Sequence, residues 1–340
     1  MSIDLGTTYL GLELRNPLVA SASPLTGHVE ILRQMEEAGV AAVVMPSLFE
    51  EQLEREERAV RRLIETGKEQ FEEVLSELCD LDSYNNGPPN YLGQVRQAKK
   101  ELSIPVIASL NGVGPGNWTR HARLLEEAGA DAVELNVYFV PTDPNVTGAQ
   151  VEDRYVETVA AVQEVLTIPL AVKLGPYFSS LPNMARRLVV DVGVEGLVLF
   201  NRYLHPDIAL ETLQISPRLT LSTGGELPLP LRWIGILRPQ LSTSLAASTG
   251  VHTSDDIFKL LLVGADVTMI TSALLRHGPA YIRTLLDGLR ARFEESGYDS
   301  IRQMKGILSQ QNCPDPSAFE RANYVKSIAS STPFRDEVSD

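Results

Sequence analysis

The sequence predicts an α/β protein built as a single (β/α)8 barrel. Three observations carry that reading: short apolar, β-branched runs alternate with helical segments, eight such runs occur, and every second one is entered from a helix that ends near a glycine. Eight is the count at which a parallel sheet closes around an interior that side chains can fill.

The runs are residues 17–23 (PLVASAS), 41–47 (AAVVMPS), 105–111 (PVIASLN), 132–137 (AVELNV), 169–175 (PLAVKLG), 196–201 (GLVLFN), 244–250 (SLAASTG) and 266–272 (DVTMITS). The even-numbered runs lie in EEAGVAAVV, EEAGADAVEL, DVGVEGLVL and LVGADVTMI, where glycine supplies the left-handed cap that turns a helix into a strand. The third and fifth follow Ile-Pro, and proline fixes a strand entry while blocking extension of the helix before it. Two doubly wound domains would need a linker near the middle, but residues 132–175 hold no Gly/Ser/Pro-rich break. One barrel is therefore expected over residues 1–330, with a frayed tail at 331–340. Residues 301–311 and 318–328 read as closing helices.

Long insertions are expected after strands two and six. The first holds the charged stretch EEQLEREERAVRRLIETG, read as a solvated helix, and the segment DSYNNGPPNYLG; the second runs from Arg202 through Trp233. Barrel proteins build specificity from loops on the C-terminal side of the strands, so a lid or substrate pocket is expected there.

The formal charge of -14 argues against a nucleic-acid partner, which would require clustered Lys and Arg. A small-molecule substrate is the better default. Cys79 and Cys313 form no disulfide framework and show no metal-ligand spacing, so no metal is expected. Neither a signal peptide nor a membrane-crossing run is visible, and the protein reads as cytoplasmic.

Chemistry concentrates at the predicted strand ends. Strand seven ends in Ser248-Thr249-Gly250 and strand eight in Thr271-Ser272, a pattern suited to holding phosphate by main-chain amides, although Ser and Thr are also ordinary helix caps. Lys173 lies inside an apolar strand, where a cation is costly without a partner. It is read as facing a site, beside an electron-rich ring or as a Schiff-base lysine, or else as a structural lysine satisfied by Glu134. Asn111, Asn136 and Asn201 stand at the ends of apolar strands and suggest amides around one planar ligand. Ser21 and Ser23 are small enough for a flat ring to lie against the backbone, and Arg202 and His205 follow Asn201 toward the same mouth.

At this point the sequence resembles the dihydroorotate dehydrogenases, most closely their soluble class, over nearly its whole length. The resemblance rests on NPLVASASP, NGPPN, ELNV, VKLGPYF, the asparagine of LFN, STGV and TSALLRHGP, in the order seen in that family. It implies FMN across the barrel mouth. Ser21, Ala22 and Ser23 would back the ring. Asn136 and Lys173 would face its polar edge, with Asn111 and Asn201 nearby. Ser248, Thr249, Gly250, Thr271 and Ser272 would hold the phosphate. Asn86, Gly87, Asn201 and Arg202 would contact substrate.

Two departures bear on activity. Phe139 stands where the family carries a Cys or Ser base, leaving Tyr138 as the nearest alternative, and Met45 stands where the soluble class carries a lysine. The expectation is an FMN-dependent oxidoreductase acting on a small planar substrate, with dihydroorotate in doubt. A non-catalytic or electron-carrying flavin subunit of a redox partner, and a Lys173-dependent aldolase, are the alternatives. A homodimer is expected from the resemblance only.

Overall fold

The computed structural model describes residues 3–49, 51–52, 87–112, 118–203, 205–217, 219–320 and 324. The chain opens with an antiparallel hairpin, β1 (Thr7–Tyr9) and β2 (Leu12–Leu14). It continues through β3 (Leu18–Ala20), β4 (Ala42–Phe49), β5 (Val106–Gly112), β6 (Ala132–Val137), β7 (Leu170–Leu174) and β8 (Gly196–Leu199). A second hairpin, β9 (Pro206–Ala209) and β10 (Gln214–Pro217), precedes β11 (Ser244–Ser248) and β12 (Val267–Ile270). Strands β3 to β8, β11 and β12 form one closed parallel barrel, with β12 pairing back onto β3. Its eight strands fall on the eight apolar runs, β4 and β5 running on to Phe49 and Gly112.

The glycines that marked the even-numbered strands all take the left-handed backbone: Gly39 at φ 110°, Gly129 at 96°, Gly193 at 91° and Gly264 at 117°. An L side chain is disfavoured there, which is why glycine recurs at these helix-to-strand turns.

Two concentric cores result from the alternation of side chains along each strand. The outer core lies between barrel and helices and includes Leu18, Val43, Met45, Leu110, Leu135, Val172 and Leu197. The inner core includes Val19, Val44, Ile107, Val198 and Val267, with small residues at Ala42, Ala132, Ala171 and Ala246. Tyr9 and Leu10 of the first hairpin enter this inner core, filling the room that the alanines leave. Leu10 is anchored by its amide, which donates to Ser244 Oγ at 2.9 Å.

The alternation breaks once. The pairing of β4 with β5 shifts between Val44 and Ser47, so Met45 faces the outer core while Ser47 faces the interior and bonds Ser109 Oγ at 2.8 Å. Met45, which stands where the resemblance puts a lysine, keeps the outward facing that alternation gives it, and a bulge at Pro46 turns Ser47 inward.

The second insertion contains the β9–β10 hairpin, but it ends sooner than expected, because Pro228–Leu237 already forms a helix. Prolines in a first turn suit helix initiation, since their missing amides have no intrahelical partner there. The expected closing helix at 301–311 is shorter, Ile301–Met304, and Gly306 takes φ 79° just beyond it. Most of the first insertion, including the charged stretch beyond Gln52, and the 331–340 tail lie outside the described residues.

Gly196 shows how tightly the plug fits: a Cβ there would lie 2.5 Å from Leu10 Cδ2. Gly196→Ala is expected to destabilise the fold by about 1–3 kcal/mol through overpacking, read as a lower urea midpoint at unchanged slope. An unchanged midpoint would show that the hairpin does not press against β8.

Candidate active site

The C-terminal ends of the barrel strands surround a cavity of about 500 Å³, within the roughly 300–1,000 Å³ typical of small-molecule and cofactor sites. Ser21, Ala22 and Ser23 reach its wall after β3, Lys173 from β7, and Asn201 and Arg202 after β8. Ser248, Thr249 and Gly250 close it at the end of β11, and Thr271 and Ser272 after β12. The fold thus gathers, from distant parts of the chain, most of the residues that the sequence singled out.

Lys173 is 7% exposed, and its Nζ donates to Ser21 Oγ at 3.2 Å and to Glu134 Oε1 at 3.3 Å. The carboxylate weighed as a structural partner is thus its partner, yet the lysine also lines the cavity. Asn111, Asn136 and Lys173 stand side by side in register across β5, β6 and β7. Asn136 is buried and its Nδ2 donates to Ser47 Oγ and Ser109 Oγ, each at 3.2 Å, while its Oδ1 has no hydrogen-bond partner among the described residues. Asn111 and Asn136 stand beside the cavity without forming its wall.

The turn after β11 is unusual. Thr249 and Gly250 adopt φ 79° and 83° in succession, and a β-branched residue in that region is a true outlier of the kind that clusters at functional sites. Thr249 Oγ1 donates to the Phe200 carbonyl at 3.2 Å, and a Cβ on Gly250 would lie 2.4 Å from the Leu227 amide. Just beyond, Asp256 accepts from the amides of His252 and Thr253 at 3.0 and 2.9 Å, and Thr253 caps the helix Ser254–Val263. Capping therefore accounts for Thr253 and Asp256, whereas Ser248, Thr249 and Gly250 face the cavity.

The second insertion roofs the site. Leu219, Thr220, Leu221 and Ser222 line the cavity, as do Phe49, Phe200 and Met269, none of which the sequence singled out. Ser222 donates its amide to Ser272 Oγ at 3.0 Å, accepts from Arg276 at 3.0 Å, and its Oγ lies 3.2 Å from His252 Nε2. Arg202 is bound back onto the same insertion, with Nε donating to Glu226 Oε1 at 2.8 Å and another guanidinium nitrogen to the Thr220 carbonyl. Burial pushes the Glu226 carboxyl up, but Arg202 and the Thr223 amide outweigh it and hold the group below the usual carboxylate range.

Aromatic rings occupy the β6–β7 side of the mouth. Tyr138 packs on Tyr203 with centroids 4.4 Å apart, and Phe139 packs on Tyr155 at 5.3 Å beneath the Arg154 guanidinium. Neither Tyr138 nor Phe139 forms part of the Lys173 cavity wall. A neighbouring cavity of about 390 Å³ shares Asn201, Arg202 and Thr249 with it and is bounded by Tyr177, Tyr203 and the exposed His205. Gly87 opens the helix Gly87–Glu101, and Asn86 lies outside the described residues. Among the described residues no helix is long and apolar enough to cross a membrane.

A closed parallel barrel whose polar groups converge on one cavity at its strand ends is the architecture of the barrel enzymes. Comparison with known proteins narrows the class. The family model for dihydroorotate dehydrogenase matches residues 4–293, and the chain belongs to that family. It is 30% identical over 218 residues, 62% of its length and 69% of the relative's, to a putative dihydroorotate dehydrogenase A (fumarate) of Aeropyrum pernix. It is 25% identical to dihydroorotate dehydrogenase B (NAD(+)), catalytic subunit, of Thermoplasma volcanium, across 89% of this chain and 98% of that one. The NAD-dependent dihydropyrimidine dehydrogenase subunit PreA of Escherichia coli matches at 24% identity across 92% of this chain and 78% of the relative. The chain is thus a dihydroorotate dehydrogenase-like oxidoreductase.

The roof contact gives a pH signature. Burial, then the nearby Arg276 charge, lowers the His252 pKa. The folded state therefore resists taking a proton that the unfolded chain accepts near the ordinary histidine value of ~6.5. This contribution to stability is present above that value and is lost as pH falls through the lowered folded pKa. Urea unfolding between about pH 7 and about pH 5 should show a shallower acid loss for His252→Gln than for the parent. Parallel losses would remove His252 from the account.

Proposed function

We propose that this chain is an FMN-dependent oxidoreductase that passes a hydride between the flavin and a small planar substrate other than dihydroorotate. The observation that carries the reading is Lys173: a buried ammonium at the edge of a cavity that is also lined by the Thr249-Gly250 turn and the Thr271-Ser272 segment.

The residues present fit FMN. A buried ammonium and the unpartnered Asn136 Oδ1 offer a donor and an acceptor beside a flat ring; leaving such an acceptor unpaired costs roughly 1–3 kcal/mol, so a ligand that donates to it is favoured. Ser21, Ala22 and Ser23 would back the ring, and Asn201 and Asn111 would complete the amide set. Ser248, Thr249, Gly250, Thr271 and Ser272 would hold the phosphate through hydroxyls and main-chain amides, which do not require a cluster of basic residues. When bound, the flavin supplies the hydride chemistry that these side chains lack. The protein's part is to orient the ring, place the Lys173 ammonium as a hydrogen-bond donor at its edge, and exclude water with the 219–222 roof.

The substrate would lie toward the Tyr177 and Tyr203 side of the mouth, with Asn201 and Arg202 between the two cavities. Phe139 has no proton-accepting group and packs on the helix Gly148–Gln163. Tyr138, the hydroxyl next to it in the chain, is packed on Tyr203. Oxidation of dihydroorotate needs a base, and this arrangement offers a poor one. Asn86 and Gly87 remain candidates for substrate contact on the family resemblance alone.

A second reading is favoured by the same Phe139: an electron-carrying flavin subunit that serves a partner. Two of the relatives carry the word subunit in their names. An aldolase finds less support, because the Lys173 amine that would have to attack a carbonyl is engaged by Glu134 and Ser21.

Purified protein should show flavin absorption bands and release FMN on denaturation, and Lys173→Met should bind FMN at least about tenfold more weakly, the loss of one charge-assisted contact. The flavin-loaded protein should give no orotate from dihydroorotate. Colourless protein that takes up no added FMN would end the proposal, and rapid orotate formation would overturn its substrate half.

A further inference from the structure

Glu134 is the residue in the barrel interior that the reading above leaves without a part. It is fully buried, on β6, two residues before Asn136 and therefore on the same inward face. One oxygen, Oε1, accepts from Lys173. The other, Oε2, has no hydrogen-bond partner among the described residues, and neither does the buried hydroxyl of Tyr9. Burial, then the Glu134 charge, raises the Tyr9 pKa well above the usual phenol value, so the tyrosine of the plugging hairpin senses this carboxylate. Removing a carboxylate from water costs several kcal/mol, and a lone contact to one ammonium repays it poorly when the second oxygen is unsatisfied. A lysine needed only to fill space could be replaced, together with its partner, by an apolar pair at no loss of stability.

We infer that Glu134 is a positioning residue for the flavin edge: it fixes the Lys173 ammonium at the cavity wall and cancels its charge, so that the pair presents a directed donor with little net field. This inference rests on the FMN reading of the same cavity. Its physical content is electrostatic. Two-electron reduction adds negative charge to the flavin, and a lone buried cation beside the ring would favour the reduced form strongly. A neutral pair favours it less. Glu134 therefore sets how much of the lysine charge the cofactor feels, by offsetting that charge and by fixing where the ammonium stands. Ser21, the other group on Nζ, is neutral and supplies direction without charge.

The test uses full-length protein loaded with FMN and compares four forms: the parent, Glu134→Gln, Lys173→Met, and the double variant. The measurements are the flavin midpoint potential and the FMN dissociation constant. Glu134→Gln should raise the affinity for reduced over oxidised FMN at least tenfold, which a two-electron couple registers as a rise of about 30 mV. In the Lys173→Met background, where there is no ammonium to position, the same change should raise the potential by clearly less, since only the carboxylate's own charge is removed. Equal shifts in both backgrounds would show that Glu134 acts by its own charge and not through Lys173, and no shift in either would show that it is only structural; each overturns the inference while leaving the flavin reading intact. Parent protein that binds no FMN overturns both. Should Glu134→Gln not accumulate as folded protein, Glu134→Asp carries the test. It keeps the charge but draws the ammonium back, so FMN should bind several-fold more weakly to protein that still unfolds cooperatively, and unchanged FMN affinity would overturn the inference.

Discussion

A cation inside a closed barrel has to be compensated where it stands, and that constraint organises this protein. Lys173 meets it with Glu134 from the adjacent strand and Ser21 from across the barrel, tying β3, β6 and β7 at one level. Because the sheet is parallel and in register, the same level places Asn136 and Asn111 beside the lysine. The polar row is thus a consequence of strand register, and its members cannot be moved singly without leaving an unpaired buried group.

The two ends of the barrel are treated differently. At one end the Tyr9–Leu10 plug and the alanine layer complete an apolar interior, and Arg238 and Lys305 meet the buried Asp266 at the start of the neighbouring strand. At the other end side-chain size falls to Ser, Thr and Gly, a cavity opens, and an insertion arches over it through Ser222. Stability and binding are thereby separated along the barrel axis, as in other barrels of this kind. The aromatic side of the mouth is built from packed rings. Tyr203 lies against Gly175, where a Cβ would meet its hydroxyl at 2.8 Å, and its ring meets those of Tyr138 and Tyr177. A wall of that composition favours ring stacking over proton abstraction.

The barrel itself was readable because its signals are local. Each glycine before an even-numbered strand records a left-handed turn, and each Ile-Pro records a strand entry, so the eight strands follow without tertiary information. Lys173, Asn201 and the Ser-Thr-Gly turn were readable for a related reason: polar residues in apolar strands demand an explanation. What escaped notice depended on three-dimensional facts. The bulge at Pro46 turns Ser47 inward although Met45, two residues before it, faces outward, so counting by twos along β4 fails there. The 219–222 roof has no periodic pattern, and its place is set by contacts with Ser272, His252 and Arg276 far away in the chain. Glu134 was noticed only as a neutralising partner, since its unpaired second oxygen is invisible without coordinates.

The most direct test is a crystal structure of the protein grown with FMN. The account requires the phosphate to lie against Ser248, Thr249, Gly250, Thr271 and Ser272, with the Lys173 ammonium within hydrogen-bonding distance of the ring. A flavin bound elsewhere, or a Lys173 turned from the ring while still paired to Glu134, would contradict it.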